Sequence, residues 1–254
     1  MPTALTREVS SGLAACELTH LARAPIDVEL ARAQHFAYEQ AIRDAGYAVQ
    51  RLPATADMPD SVFIEDIAVV FPELAIVTRP GAESRRVEIP TVAAALARYR
   101  TVQSIQAPAT VDGGDVLVVG RRVFAGRSSR TNRDGIAAMR RLLEPFEYTV
   151  CEIAVRGCLH LKSAVTALTD QLLLVNPSWI DKEAFARFDF VEIDPLEPMA
   201  ANALRLDERV IYSAAHPRTA ARLAKRGIRL ETVYVSELAK AEGAVTCCSL
   251  IIDG

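Results

Sequence analysis

Residues 63–80 read FIEDIAVVFPELAIVTRP, and residues 113–128 read GGDVLVVGRRVFAGRS. Each is an apolar run, a short break and a second apolar run of strand-like length. Each leads into a helix-like stretch, TVAAALARYR at 91–100 and TNRDGIAAMRRLL at 131–143. Val92, Leu96 and Tyr99 recur at helical spacing in the first, and Ile136, Met139 and Leu143 in the second. Thr131 or Asn132 could cap the second helix. The pattern is therefore strand, turn, strand, helix, seen twice.

It continues outward in both directions. A third unit runs LHLKSAVTAL (159–168), QLLLVNP (171–177) and DKEAFARF (181–188). A fourth runs AANALRL (200–206), ERVIYSA (208–214) and PRTAARLAKRG (217–227), with Pro217 opening its helix and Gly227 suited to its exit. VTCCSLII (245–252) reads as a first strand with nothing after it. TALTREV (3–9) and VELARAQHFAYEQAIRDAG (28–46) supply the missing second strand and helix. A chain whose two ends complete one unit closes a ring. Such repetition favours a radial α/β arrangement with first strands near the axis and helices outside; an open α/β sheet is the plainer alternative.

Composition bounds the function. The 254 residues carry 29 Lys+Arg and 32 Asp+Glu, a net charge of -3, with 50% hydrophobic residues. That apolar content excludes general disorder. The weakly acidic balance argues against a nucleic-acid binder living on phosphate contacts. There is no basic-then-apolar leader at the start and no apolar run long enough for a bilayer, so a cytoplasmic protein with no membrane partner is expected. The five cysteines, Cys16, Cys151, Cys158, Cys247 and Cys248, are too sparse for a disulfide framework.

Polar groups interrupt the first strands. Glu65 and Asp66, Asp112 and Asp115, His160 and Lys162, Asn202, and Cys247 stand at the starts of successive units. From Glu65 to Asp112, His160, Asn202 and Cys247 the steps are 47, 48, 42 and 45 residues. In equivalent units these groups face one axial cavity, and burying them without partners or a ligand is costly. A Cys and a His brought together make a nucleophile and its acid or base. A carboxylate can fix the imidazole and favour its charged form. Further carboxylates call for a cationic substrate, and a planar guanidinium matches them bidentately. Such a cation beside the thiol would help form the thiolate. Arg85 and Arg130, just after second strands, could anchor a substrate carboxylate.

The stretches DSVFIEDIAVV (60–70), IVTRPGAESRR (76–86), VDGGDVL (111–117), RTNRDG (130–135), LHLKS (159–163), AAN (200–202) and TCCSLII (246–252) resemble the dimethylarginine dimethylaminohydrolases of the guanidine-modifying superfamily. The likeness runs from about residue 18 to residue 251. It implies a fivefold pseudo-symmetric α/β propeller of ββαβ repeats, the pentein fold, with residues 1–254 as one catalytic domain. It implies a hydrolase that converts Nω-methylated arginine to citrulline and an amine with no cofactor and no metal. Cys247 is then the nucleophile, His160 the general acid/base and Asp112 the carboxylate that orients it. Asp66 would bind the guanidinium, with Asp60, Glu65 and Val245 in the same pocket. Arg85 and Arg130 would clamp the α-carboxylate, and Leu18 would close a lid. The family pattern has Asp-Gly shortly before the cysteine, whereas this chain has Glu242-Gly243.

Plainer readings stand beside these. Cys248, Cys16, Cys151 and Cys158 read as packed thiols. His20, His35 and His216 read as structural or surface groups, although His20 near the lid could touch substrate. Gly113-Gly114 lacks the Lys-Ser/Thr of a phosphate loop, so close backbone packing is expected there. Deimination of arginine or another guanidine, and a non-catalytic relative that binds arginine-like ligands or zinc, stay open as alternatives. Zn²⁺ could inhibit at Cys247 and His160, and an edge between units could support a homodimer.

Overall fold

The chain was described as a computed structural model covering residues 1–253. Its regular elements, in order, are β1 (Thr3–Arg7), α1 (Val28–Asp44), β2 (Ala48–Leu52), β3 (Ala68–Val70), β4 (Leu74–Val77), α2 (Ile89–Leu96), β5 (Thr101–Ser104), β6 (Val116–Val119), β7 (Arg122–Arg127), α3 (Arg133–Leu143) and β8 (Thr149–Ala154). There follow α4 (Leu161–Ala164), β9 (Val165–Ala167), β10 (Leu172–Val175), β11 (Asp189–Glu192), β12 (Ala203–Leu206), β13 (Arg209–Ser213), α5 (Pro217–Lys225), β14 (Arg229–Val233), α6 (Ser236–Ala239) and β15 (Leu250–Ile252).

The strands form five three-stranded sheets, β3-β4-β5, β6-β7-β8, β9-β10-β11, β12-β13-β14 and β15-β1-β2. Within each, first and second strands pair antiparallel and second and third pair parallel. The fifth sheet joins the two ends of the chain, with Thr3 opposite Ile252 and Leu5 opposite Leu250. Five apolar clusters hold the sheets together, one at each junction between neighbouring units. Val69 and Ile76 meet Val123 and Met139; Phe124 meets Leu173 and Phe185; Leu174 meets Ala203 and Tyr212. Ile211 meets Ala4 and Tyr38, and Leu5 and Leu250 meet Ile67 and Val92. Each such fully buried aliphatic side chain contributes about 1.5–3 kcal/mol relative to exposure. The result is a closed five-bladed α/β propeller, as the family resemblance implied, and not the open sheet that the repeats alone also allowed.

The helices follow their sequence signals. Asn132, rather than Thr131, caps α3, its side chain accepting from the Gly135 amide at 2.8 Å. Helices α1 and α5 end just before Gly46 and Gly227, at φ +95° and +77°. The third unit differs from expectation. DKEAFARF makes only one 3₁₀ turn, Lys182–Phe185, capped by Asp181 and pinned by buried Phe185. With so few residues, one anchored turn is what packing sustains.

A second difference places the site. The first strands are shorter than their apolar runs. Glu65 and Asp66 lie in a 3₁₀ turn (Ile64–Ile67), Asp115 in another (Gly113–Asp115), and Asp112 and His160 immediately precede short helical turns. Cys247 lies in the turn ahead of β15, its amide bonded to the Ala244 carbonyl at 3.2 Å. The polar groups thus sit on tight turns leading into the strands. There their backbone amides can serve side chains instead of a ladder. The strands themselves line an axial channel of about 290 Å³.

Candidate active site

Four of these lead-in turns, carrying Asp66, Asp112, His160 and Cys247, converge at one end of the axis. His160, 6% exposed, places Nε2 3.1 Å from Asp112 Oδ2 and Nδ1 3.7 Å from Asp66 Oδ1. The ring is held in that slot by a close backbone approach. A Cβ on Gly114 would fall 2.5 Å from His160 Nδ1, so the second glycine of VDGGD makes room for the imidazole. Asp112 is oriented in turn by the Gly81 amide at 2.8 Å, and Asp66 by the Gly114 amide at 3.0 Å.

The electrostatics set proton positions. Burial disfavours a charged imidazole, but Asp66, Asp112 and Asp115 outweigh it and lift His160 to about 9. It is therefore an imidazolium at neutral pH. Asp66 is held below the usual carboxylate range by His160 and Arg85, against the opposing effect of burial. For Cys247, burial together with Glu65 and Asp66 pushes the thiol up to about 12. At rest the cavity thus holds a thiol and an imidazolium. Burial also raises Asp60 and Asp115, each to about 6.

One small cavity gathers Asp60, Asp66, Asp112, His160, Arg85, Arg130 and Cys247, along with Glu17, Phe63, Leu159, Ala241, Glu242 and Gly243. Cys247 is only partly buried and opens into it, whereas Cys248 is fully buried and donates to the Ala244 carbonyl. Asp60 accepts the Glu17 amide on both oxygens, at 3.2 and 3.1 Å. Arg130 is half-buried and donates to Thr19 Oγ1 at 3.0 Å.

The remaining candidates lie elsewhere or are otherwise engaged. Arg85 is 5% exposed, and its guanidinium meets Glu88 at 2.9 Å, Asp66 at 2.5 Å and the Phe63 carbonyl at 2.9 Å. Its visible task is to counter Asp66. Glu65 pairs with Lys162 at 2.6 Å and accepts from Thr246 Oγ1 at 2.8 Å, forming a floor between the cavity and the axial channel. Val245 is 1% exposed and packs in the core between the fourth and fifth units, because an apolar side chain on that turn is buried more favourably than it is exposed. Leu18 packs partly against the same core. These last three do not line the small cavity. His20 is exposed.

Sequence reasoning missed Glu17, Phe63, Leu159 and Ala241 in the cavity wall, and Thr246 in the floor. Phe63 and Leu159 each open a segment already singled out, which was the available signal. Glu17 carried none.

Asp66, Asp112 and His160 also offer donor atoms within 4.8 Å of one another, a set able to hold a cation. Among the described residues no helix is long and apolar enough to cross a membrane.

The family model for eukaryotic N,N dimethylarginine dimethylhydrolase matches residues 21–249. This chain belongs to the dimethylarginine dimethylaminohydrolase family. It is 41% identical over 249 residues to N(G),N(G)-dimethylarginine dimethylaminohydrolase of Streptomyces coelicolor, covering 97% of this chain and 95% of the relative. It is 37% identical to the Pseudomonas aeruginosa enzyme of the same name, over 88% of this chain and 89% of the relative. A solved structure of the Pseudomonas aeruginosa protein, a cysteine-to-serine mutant complexed with citrulline, superposes with a TM-score of 0.94 at 35% identity, covering 98% of each chain.

Proposed function

We propose that residues 1–254 form a single catalytic domain that hydrolyses Nω-methylated arginine to citrulline and methylamine or dimethylamine. The observation that carries this reading is His160, fixed between two carboxylates as an imidazolium and opening with Cys247 into one anionic cavity. Family membership supplies the substrate class, and the citrulline in the Pseudomonas aeruginosa structure fits the proposed product.

The chemistry follows from the resting protonation. A thiol this reluctant to ionise needs a cation beside it, and the substrate guanidinium provides one. As the guanidinium binds, the Cys247 thiol releases its proton to solvent, and the thiolate attacks the guanidinium carbon to form the C–S bond. His160 gives its proton to the departing methylated nitrogen, the C–N bond breaks, and a thiouronium remains on the sulfur. Neutral His160 then takes a proton from water as the oxygen attacks the same carbon. The C–S bond breaks as the second proton of that water passes to the sulfur, releasing citrulline and restoring the resting thiol and imidazolium. Asp112 holds the ring and favours its charged form throughout. Asp66 and Asp60 supply negative charge for the guanidinium, and Arg130 is the better placed of the two arginines to meet the substrate carboxylate. Zn²⁺ would inhibit, captured by His160 with Cys247 or with its two carboxylates.

Incubation with asymmetric dimethylarginine, monomethylarginine and arginine, with assay of citrulline and released amine, tests this. Citrulline from the methylated substrates but not arginine is expected, and the Cys247→Ser variant should form none. Citrulline from arginine alone would replace the reading with deimination; none from any guanidine would leave a binding protein.

A further inference from the structure

The segment 17–25 has no regular secondary structure, yet it starts at the cavity wall with Glu17 and is tied down from several sides. The most concentrated tie is a carboxylate more than two hundred residues away. Glu242 Oε2 accepts the Thr19 amide at 2.9 Å, and Oε1 accepts the amides of His20 at 2.5 Å and Leu21 at 2.7 Å. Three successive backbone N–H groups curled around one anion form an anion-binding nest, a far more specific arrangement than a surface ion pair.

Glu242 is itself rigidly mounted. It stands at φ +60°, a region L side chains rarely adopt, with its amide on the Ala239 carbonyl at 3.1 Å. The next residue, Gly243, is packed so closely that a Cβ there would lie 2.0 Å from the Phe63 ring. The same residue, Glu242, also lines the catalytic cavity. Under the closed segment that cavity measures about 20 Å³, room for about one water molecule. An arginine-sized ligand needs more room than this, and the segment carrying Glu17 is the part of the wall held by the Glu242 contacts and by Arg130 on Thr19 Oγ1.

We propose that Glu242 is a positioning residue, a latch whose carboxylate captures the amides of residues 19–21 and sets how much of the time the lid is shut over Cys247 and His160. Closing is thereby built into the protein without substrate. Each turnover breaks and remakes the nest. The latch strengthens substrate retention by excluding water and holding Arg130's surroundings in place, and it opposes entry and release.

The kinetic part of this inference rests on the proposed methylarginine hydrolysis; the latch itself does not. Hydrogen exchange on the intact, unliganded protein therefore comes first. In Glu242→Gln, and in Glu242→Gly, which removes the carboxylate while relieving the positive φ, the amides of Thr19, His20 and Leu21 should exchange about tenfold faster or more, with core amides of β4 and β7 unchanged. Glu242→Asp, with the charge one methylene short, should lie between. Alkylation of Cys247 by iodoacetamide should speed up in the first two variants. With dimethylarginine, KM should rise while kcat holds or increases. Unchanged exchange at residues 19–21 in both carboxylate-free variants would overturn the latch. Faster exchange with an unchanged KM would overturn its link to substrate. Lack of turnover in the unaltered protein would count against the hydrolase reading and leave the exchange result standing.

Discussion

The floor and the wall of the cavity are both ionic clusters, but only one of them is balanced. In the floor, Lys162 meets Glu65 at 2.6 Å, Thr246 donates to the other oxygen, and Asn202 donates to Thr246 at 2.9 Å. One cation answers one anion, and neutral groups complete the hydrogen bonds. The cavity lining instead holds five carboxylates, Glu17, Asp60, Asp66, Asp112 and Glu242, against Arg85, Arg130 and His160. Even with His160 charged, negative groups are in formal excess, the surplus being exposed Glu17 and partly buried Glu242, which is held on the amides of residues 19–21. A balanced buried pair is a structural joint, whereas a surplus of one sign in a water-excluding site calls for a ligand of the other. The same repeat position thus yields a joint or a binding wall according to which side chains its neighbours carry.

Removing the wall's proton carrier gives the largest effect. His160→Gln should lower kcat for dimethylarginine by about 10²–10⁴, the usual size of general acid–base help. A variant that melts early while retaining turnover would make His160 a structural group.

Breaking the floor should do the reverse. Lys162→Met leaves Glu65 buried and unanswered, a loss of about 3–5 kcal/mol in denaturant unfolding, and adding Glu65→Gln should recover most of it. The pH dependence has a definite sign. Burial holds Glu65 above the ordinary carboxylate range even beside Lys162. The folded chain therefore binds that proton more tightly than the unfolded one, and stability from this group is lost as pH rises from the unfolded value through the folded one. The loss should be steeper in Lys162→Met. Equal stability of single and double variants would show that the pair joins nothing.

The smallest effect sharpens the wall. Asp112→Asn should lower the His160 titration, followed by ring NMR signals, from about 9 toward the ordinary value, without reaching it because Asp66 and Asp115 remain. A raised imidazole stabilises the fold below its unfolded pKa and loses that contribution as pH climbs to about 9, so the variant should lose stability at low pH and little above 9. An unmoved titration would assign the shift to Asp66 and Asp115.

How far the sequence reached depends on where each signal lives. First and second strands were legible because they are buried and apolar, and helices because their caps and stripes are local. The third strands were not singled out along the chain. β5 and β14 are mostly exposed, so their side chains lack an apolar signature. The chemical types in the site were legible from their recurrence, but the turns that carry them read as strand, since apolar flanks dominate a short window. Pairings were beyond reach. Nothing local tells that Arg85 meets Asp66 and Glu88, or that Glu242 reaches the amides of 19–21. Such contacts are fixed only when distant units come together.

The sheet shared by β15 and β1 has one more consequence. Since Thr3 already lies opposite Ile252, the order in which the units are strung is incidental to the ring. A circularly permuted chain, opened at the β6–β7 turn and joined across the old ends, would keep every sheet and the same constellation, with the nucleophile encoded mid-chain instead of near its tail.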